Sequence, residues 1–201
     1  MTPLVLAHRG ACWEAPENTL EAFELAIAEQ ADYVEFDVRA RNGDLVICHD
    51  PGPPDDAPTL DEVLAALAGR VGLAVEVKEE EATEGVIDAL ERHGIEATEL
   101  LMVSFQIGAL ARVRRRRPDL RCVLNLGLPP APSQAMGLWG VGIEDASATA
   151  DVIAEAQELG LATAVFTVND PARMLELAGL GVTGIFTDRP GLARQALQAA
   201  R

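Results

Sequence analysis

The feature that most limits the fold of this chain is a repeating alternation. Short apolar runs of strand length are followed, again and again, by segments with apolar residues three and four apart. Leu4 to Ala7 reads as the first strand, and a helix from about Thr19 places Leu20, Phe23 and Ile27 on one face. Residues 33–39 are the second strand, and Asn42-Gly43 is a hairpin signal that turns residues 44–48 back as a short extra strand. Thr59 to Leu67 is helical, 73–78 is a strand, and Val86, Ile87 and Leu90 mark another helix. Strands at 100–105, 121–126, 141–144, 162–168 and 184–187 follow. Helices fall near 106–117, 149–159 and 171–178, and Pro190 opens a last one. The connection 129–138 carries little helix signal. Eight strand–helix units on 201 residues predict an α/β chain folded as one compact (β/α)8 TIM barrel, a single domain over residues 1–201.

Local signals add detail. Asn18, with Glu21 three residues on, predicts an N-cap and its capping partner. Arg114 to Arg117 before Pro118 read as a solvated helix C-terminus that suits the helix dipole, not as a basic patch. His93 reads as a surface histidine near a helix end. Cys12, Cys48 and Cys122 are odd in number and widely spaced, which predicts small buried hydrophobes and neither a disulfide framework nor a zinc cluster.

Composition then narrows the partners. A net charge of −16 argues against nucleic acid and anionic membrane surfaces, while leaving room for a small anionic substrate beside a local cation. No apolar run reaches the roughly 18 residues of a membrane span. Met1-Thr2-Pro3 runs into the first strand without a basic leader, so the expectation is a cytoplasmic protein with no stable membrane association. Against fifteen arginines there is one lysine, Lys78, and it ends an apolar strand.

The charged residues that interrupt apolar strands sit at strand ends. His8 and Arg9 end the first strand. Glu35 and Asp37 lie two apart near the end of the second, so they share a face. His49 ends the hairpin extension, and Glu76 and Lys78 end the third barrel strand. In a barrel these ends form one mouth, where binding chemistry is built. Isolated buried carboxylates are too costly to be core filler. A hard divalent cation, Mg2+ or Ca2+, between Glu35 and Asp37 would relieve their repulsion.

The motifs HRG (8–10), PENT (16–19), E-x-D (35–37), HD (49–50), E-x-K (76–78), SF (104–105) and TDRP (187–190) occur in that order. Together they make the chain resemble the glycerophosphodiester phosphodiesterase family, a TIM-barrel family, from the first strand to the last. The resemblance implies a phosphoric diester hydrolase that converts glycerophosphodiesters to glycerol 3-phosphate and an alcohol. It implies Glu35, Asp37 and Glu76 as ligands of one divalent cation, His8 and His49 as the acid–base pair, and Arg9 and Lys78 as phosphate contacts. Glu17 matches a family position on the substrate side, and first-turn helix chemistry explains it equally well. In the family the glycerol 2-hydroxyl attacks first and water opens the resulting cyclic phosphate.

Two departures from the family bear on substrate. Only Pro51 to Ala57 separates Asp50 from Pro58, where the family carries a long insertion. Phe166 stands in V-F-T-V-N where the family tends to have tryptophan, which makes it a candidate substrate contact. The trimmed rim predicts weak discrimination among headgroups. Alternative readings are a phospholipase D-like or lysophospholipase D activity on lipid headgroups, and a non-catalytic barrel that binds phosphodiesters.

Overall fold

The structure, a computed structural model, describes residues 2–199. Eight parallel strands close on themselves. In chain order the strands are β1 (Leu4–Ala7), β2 (Tyr33–Arg41), β3 (Asp44–Ile47), β4 (Gly72–Val77), β5 (Leu100–Ser104), β6 (Arg121–Asn125), β7 (Gly140–Glu144), β8 (Ala162–Phe166) and β9 (Gly184–Thr187). The wall runs β1-β2-β4-β5-β6-β7-β8-β9, and β1 pairs with both β2 and β9. β3 stands outside the wall, antiparallel to the far end of β2 from Val38↔Ile47 to Arg41↔Asp44.

The helices are α1 (Leu20–Ala28), α2 (Leu60–Leu67), α3 (Thr83–Arg92), α4 (Ile107–Arg116), α5 (Ala150–Glu158), α6 (Pro171–Gly179) and α7 (Pro190–Ala199). Threonines cap three of them: Thr19, Thr59 in a full capping box with Glu62, and Thr149. The β6–β7 connection has only a 3-10 turn over Pro132–Ala135. Pro129, Pro130 and Pro132 remove the donors a helix would need there.

Strand alternation sorts the side chains. Val34, Phe36, Val38, Val75 and Val77 face the helices and join the outer core. Leu6, Tyr33, Ala74, Leu101, Val123 and Phe186 pack inside the barrel. Arg121 lies over the rings of Tyr33 and Trp139, 5.9 and 5.4 Å from their centroids, and donates to the Tyr33 hydroxyl at 2.9 Å. Gly72 makes room for the Tyr33 ring, since a Cβ there would sit 2.6 Å from it. The lower barrel is thus a packed apolar plug. Two residues further along β2 and β4, the same inward positions carry Glu35 and Glu76.

Two expectations from the sequence change. Asn18 is not the cap of α1; it has φ +58, and Thr19 accepts from Ala22 instead. Of the cysteines only Cys122 is buried, while Cys12 and Cys48 are half-buried. Arg114, Arg115 and Arg116 are exposed in the last turn of α4, as expected, and Arg116 also pairs with Glu84, Asp88 and Glu91 of α3. His93 follows α3 and meets Asp61 at 2.9 Å.

Candidate active site

The mouth is built by the ends of the barrel strands and by the turns that follow β1, β3, β4 and β9. After β1 the chain takes left-handed geometry at Arg9 (φ 53) and Gly10 (φ 85). A Cβ on Gly10 would lie 2.7 Å from Ala22, so only glycine lets this turn pack on α1. The turn brings the Arg9 amide onto Glu35, donating to Oε2 at 2.8 Å. It also sends the guanidinium between Glu17 (2.8 Å) and Asp37 (3.3 Å).

Glu35, Asp37 and Glu76 are 2%, 1% and 8% exposed, a degree of burial that carboxylates reach only with partners. Register puts Asp37 beside Glu76 on adjacent strands. One oxygen from each of the three lies within 4.8 Å of the others. Lys78 donates to Glu76 at 2.7 Å and pairs with Asp37 at 3.2 Å. Asn18 grips Asp37 twice, donating to Oδ2 at 2.8 Å and accepting from its backbone amide at 3.2 Å. Asn125, at the end of β6, donates to Glu76 at 3.3 Å.

The electrostatics follow from these contacts. Burial and the neighbouring charges of Asp37 and Glu76 hold the Glu35 carboxyl well above the ordinary range, against a smaller pull from Arg9. Burial also raises Asp37, but Lys78, the Asn18 bond and Arg9 outweigh it and leave Asp37 low. Glu76 is raised by burial and by Asp37 despite Lys78. Three acids thus face two cationic side chains, and the acid without a direct cationic partner is the one pushed highest.

A cavity of about 170 Å3 opens above this floor. Its charged lining includes His8, Arg9, Glu35, His49, Glu76 and Lys78. The opposite wall is Val103, Phe105, Phe166 and Phe186, with Phe105 edge-on to Phe166 at 5.9 Å. His49 follows β3, its carbonyl held by Arg39 at 2.8 Å and its Nδ1 2.8 Å from Asp50. His8 Nδ1 lies 2.8 Å from Asp188 Oδ1, at the end of β9. Asp188 accepts in addition from Asn169 at 2.6 Å and Cys12 at 3.2 Å. Burial would raise Asp188, but the bonds from His8, Asn169 and Cys12 bring it down to about 2.

Of the residues singled out from sequence, His8, Arg9, Glu35, His49, Glu76, Lys78 and Phe166 line one cavity. Asp37 lies beneath it, bound to Lys78 and Arg9. Glu17 is not on the lining; it precedes α1, with its side chain 49% exposed, and holds Arg9 from outside. Sequence reasoning misses Asn18, Asn125, Asn169 and Asp188 as site residues. Asn18 and Asp188 do fall inside the motifs PENT and TDRP, which is the signal that could have found them.

The acidic floor, the two histidines and the flanking Arg9 and Lys78 thus share one mouth, the end of a TIM barrel where active sites are built. The profile of the Glycerophosphoryl diester phosphodiesterase family matches residues 8–66 and 51–192, and the chain belongs to that family. The glycerophosphodiester phosphodiesterase of Bacillus altitudinis is 26% identical over 235 residues, covering 94% of this chain and 96% of that protein. A phosphodiesterase of Oleispira antarctica, solved in complex with the product sn-glycerol-3-phosphate, superposes with a TM-score of 0.89 at 25% identity over 98% of this chain and 97% of that one. The glycerophosphodiester phosphodiesterase of Agrobacterium tumefaciens strain C58 superposes with a TM-score of 0.80 at 26% identity, covering 96% and 99%. Among the described residues no helix is long and apolar enough to cross a membrane.

Proposed function

We propose that this chain hydrolyses glycerophosphodiesters to glycerol 3-phosphate and an alcohol, with Glu35, Asp37 and Glu76 holding one divalent cation and His8 and His49 serving as acid and base. One observation carries the reading: both histidines border a cavity whose floor is three buried carboxylates countered by only Arg9 and Lys78 among its lining residues.

The residues fit a hard cation. All three donors are carboxylate oxygens within 4.8 Å of one another, the ligand type that Mg2+ and Ca2+ take. Glu35, with its carboxyl held far above the ordinary range, has the most to gain from a positive charge. When bound, such a cation supplies Lewis-acid polarisation of a non-bridging phosphate oxygen.

The chain's own groups supply the rest. Arg9 and Lys78 place two positive charges where negative charge builds on the phosphoryl oxygens. Glu17 and Asp37 hold the Arg9 guanidinium across the mouth, and Glu76 and Asp37 hold Lys78. One histidine takes the proton of the attacking hydroxyl while the other gives a proton to the leaving alcohol, roles that suit imidazole near neutral pH. Phe105, Phe166 and Phe186 present an apolar wall to the part of the substrate that carries no charge.

That wall also favours a second reading, cleavage of lysophospholipid headgroups. It continues to the exposed ring of Phe105, 51% accessible, and the short 51–57 link leaves the rim beside His49 without a lid. The test is turnover with added Mg2+ or Ca2+ on glycerophosphocholine, glycerophosphoethanolamine and lysophosphatidylcholine. Release of glycerol 3-phosphate from the first two supports the main reading; activity on the lysophospholipid alone supports the second. No turnover on any of them would leave a phosphodiester-binding barrel.

A further inference from the structure

His8 is held by a network that reaches 180 residues along the chain. Its Nδ1 meets Asp188 Oδ1 at 2.8 Å, with the Thr167 hydroxyl more distant at 3.5 Å. A carboxylate only accepts, so the proton of this bond sits on Nδ1, and in the neutral ring the other nitrogen, Nε2, is left without one. His8 borders the cavity, so Nε2 is the nitrogen available to substrate.

Asp188 in turn cannot rotate freely. Asn169 Nδ2 donates to its Oδ2 at 2.6 Å, and Cys12 Sγ donates to its Oδ1 at 3.2 Å. The orientation of the Asn169 amide is itself fixed. Its Oδ1 accepts from the Asp188 backbone amide at 2.9 Å and from the Thr187 hydroxyl at 3.0 Å. A backbone N–H can only donate, so this atom must be the oxygen and the one facing Asp188 must be the NH2.

We propose that Asp188 is a positioning residue that keeps the His8 proton on Nδ1 and Nε2 free for the cavity, and that Asn169 sets the direction of this hydrogen-bond relay. The inference rests on the acid–base role proposed above for His8, but part of its test does not.

The relay dictates what substitutions do. In Asp188→Asn, the new amide must turn its oxygen toward the fixed NH2 of Asn169. Its own NH2 then faces His8 Nδ1, which must become an acceptor. The proton moves to Nε2, and the nitrogen at the cavity can no longer take a proton. In the swap Asp188→Asn with Asn169→Asp, the residue-169 carboxylate still accepts from the Asp188-position amide and Thr187. It now also accepts from the new Asn at 188, whose oxygen turns back to His8. The original tautomer returns.

Two readouts test this. In the first, Asp188→Asn lowers kcat by about 10²-fold or more, with KM changed by less than about threefold. The swap regains at least about tenfold of the loss, and in a His8→Ala background Asp188→Asn costs less than about twofold. The second is the 15N spectrum of histidine-labelled protein without substrate or added metal. With only His8, His49 and His93 in the chain, the His8 signals are assigned by their loss in His8→Ala. The neutral His8 ring is expected as the Nδ1–H tautomer in the wild type and the swap, and as Nε2–H in Asp188→Asn. An unchanged tautomer in Asp188→Asn, or a swap no more active than the single variant, overturns the proposal. If the wild type hydrolyses no phosphodiester, the proposed function fails while the tautomer still decides the relay. If Asp188→Asn does not fold, the swap decides: it keeps the wild-type tautomer or the proposal falls.

Discussion

His8 follows a strand of the barrel wall and meets Asp188, whose side chain is 22% exposed and held by Asn169 and Cys12. His49 follows a hairpin strand outside the wall and meets Asp50, its sequence neighbour, whose side chain is 83% exposed. Both ring nitrogens lie 2.8 Å from a carboxylate oxygen, so distance alone makes the two stations look alike. Their surroundings differ. At His8 both side chains are only 22% exposed and the carboxylate has three side-chain donors; at His49 the carboxylate is open to solvent, and Arg39 pins the backbone carbonyl. The first histidine is set by closure of the barrel, whereas the second is set by a short surface segment. Preorganised contacts are where substitutions are felt most.

The largest expected effect comes from what the two stations share. Removing divalent cation by exhaustive chelation is expected to abolish turnover, a loss of at least about 10³-fold for several kcal/mol of charge stabilisation. Restoring Mg2+ or Ca2+ should restore the rate. Undiminished activity after chelation would remove the cation from the mechanism and leave the carboxylate floor unexplained.

Next are the histidines themselves. His8→Ala and His49→Ala are each expected to lower kcat by about 10²–10⁴-fold while leaving thermal unfolding near that of the parent. The comparison would break if one variant kept near-normal turnover, since that station would then have no acid–base duty.

Stability separates the stations without any substrate. Asp188 sits at about 2 against an ordinary 3.8. A depressed carboxylate stabilises the fold above its unfolded value and loses that stabilisation as pH falls through its folded value. The full shift would correspond to roughly 2 kcal/mol between pH 4.5 and pH 2, and the solvent that reaches this half-buried group screens part of it. Over that interval the wild type is therefore expected to lose roughly 1 kcal/mol more of unfolding free energy than Asp188→Asn. Urea titrations at the two pH values measure the difference. Equal losses would mean that Asp188 is not held as the geometry indicates.

How much of this is legible in the sequence depends on the range of each contact. The inward and outward sorting of β2 follows from period-2 alternation, so the residue pattern alone puts Glu35 and Asp37 on one face and at the mouth. The strand ends then supply His8, Lys78 and Glu76. Asn18 escapes because the rule for helix caps is local, and the competing bonds to Asp37 come from 19 residues away. Asp188 belongs to a motif but gains no role from it, because its partner lies 180 residues earlier and closure of β1 on β9 brings them together. Cys12 reads as a small hydrophobe because burial statistics cannot see a carboxylate arriving from the far end of the barrel. The apolar wall is half legible. Phe166 is singled out by its motif and Phe105 falls inside SF, while Phe186 needs the barrel to be closed.

The smallest expected effect is at Asp50, and it is the one that tests the contrast most directly. An exposed ion pair contributes under about 1 kcal/mol, because water and salt screen it and two side chains lose freedom to form it. Asp50→Asn is therefore expected to change kcat by less than about fivefold. The same change at Asp188 is expected to cost far more, although both replace a carboxylate beside a histidine Nδ1. The segment after Asp50 has an anchor of its own: Arg41 holds it through the Pro54 carbonyl at 2.8 Å and through Asp55. Substituting Arg41 would loosen that link without touching either histidine, so Arg41→Ala serves as the reference for rim mobility. If Asp50→Asn cost more than about tenfold and Arg41→Ala did the same, the His49 station would be rigid in the working enzyme, with the link as its frame. A large loss in Asp50→Asn alone would instead mean that substrate binding closes water away from the His49–Asp50 pair and makes it the equal of His8–Asp188.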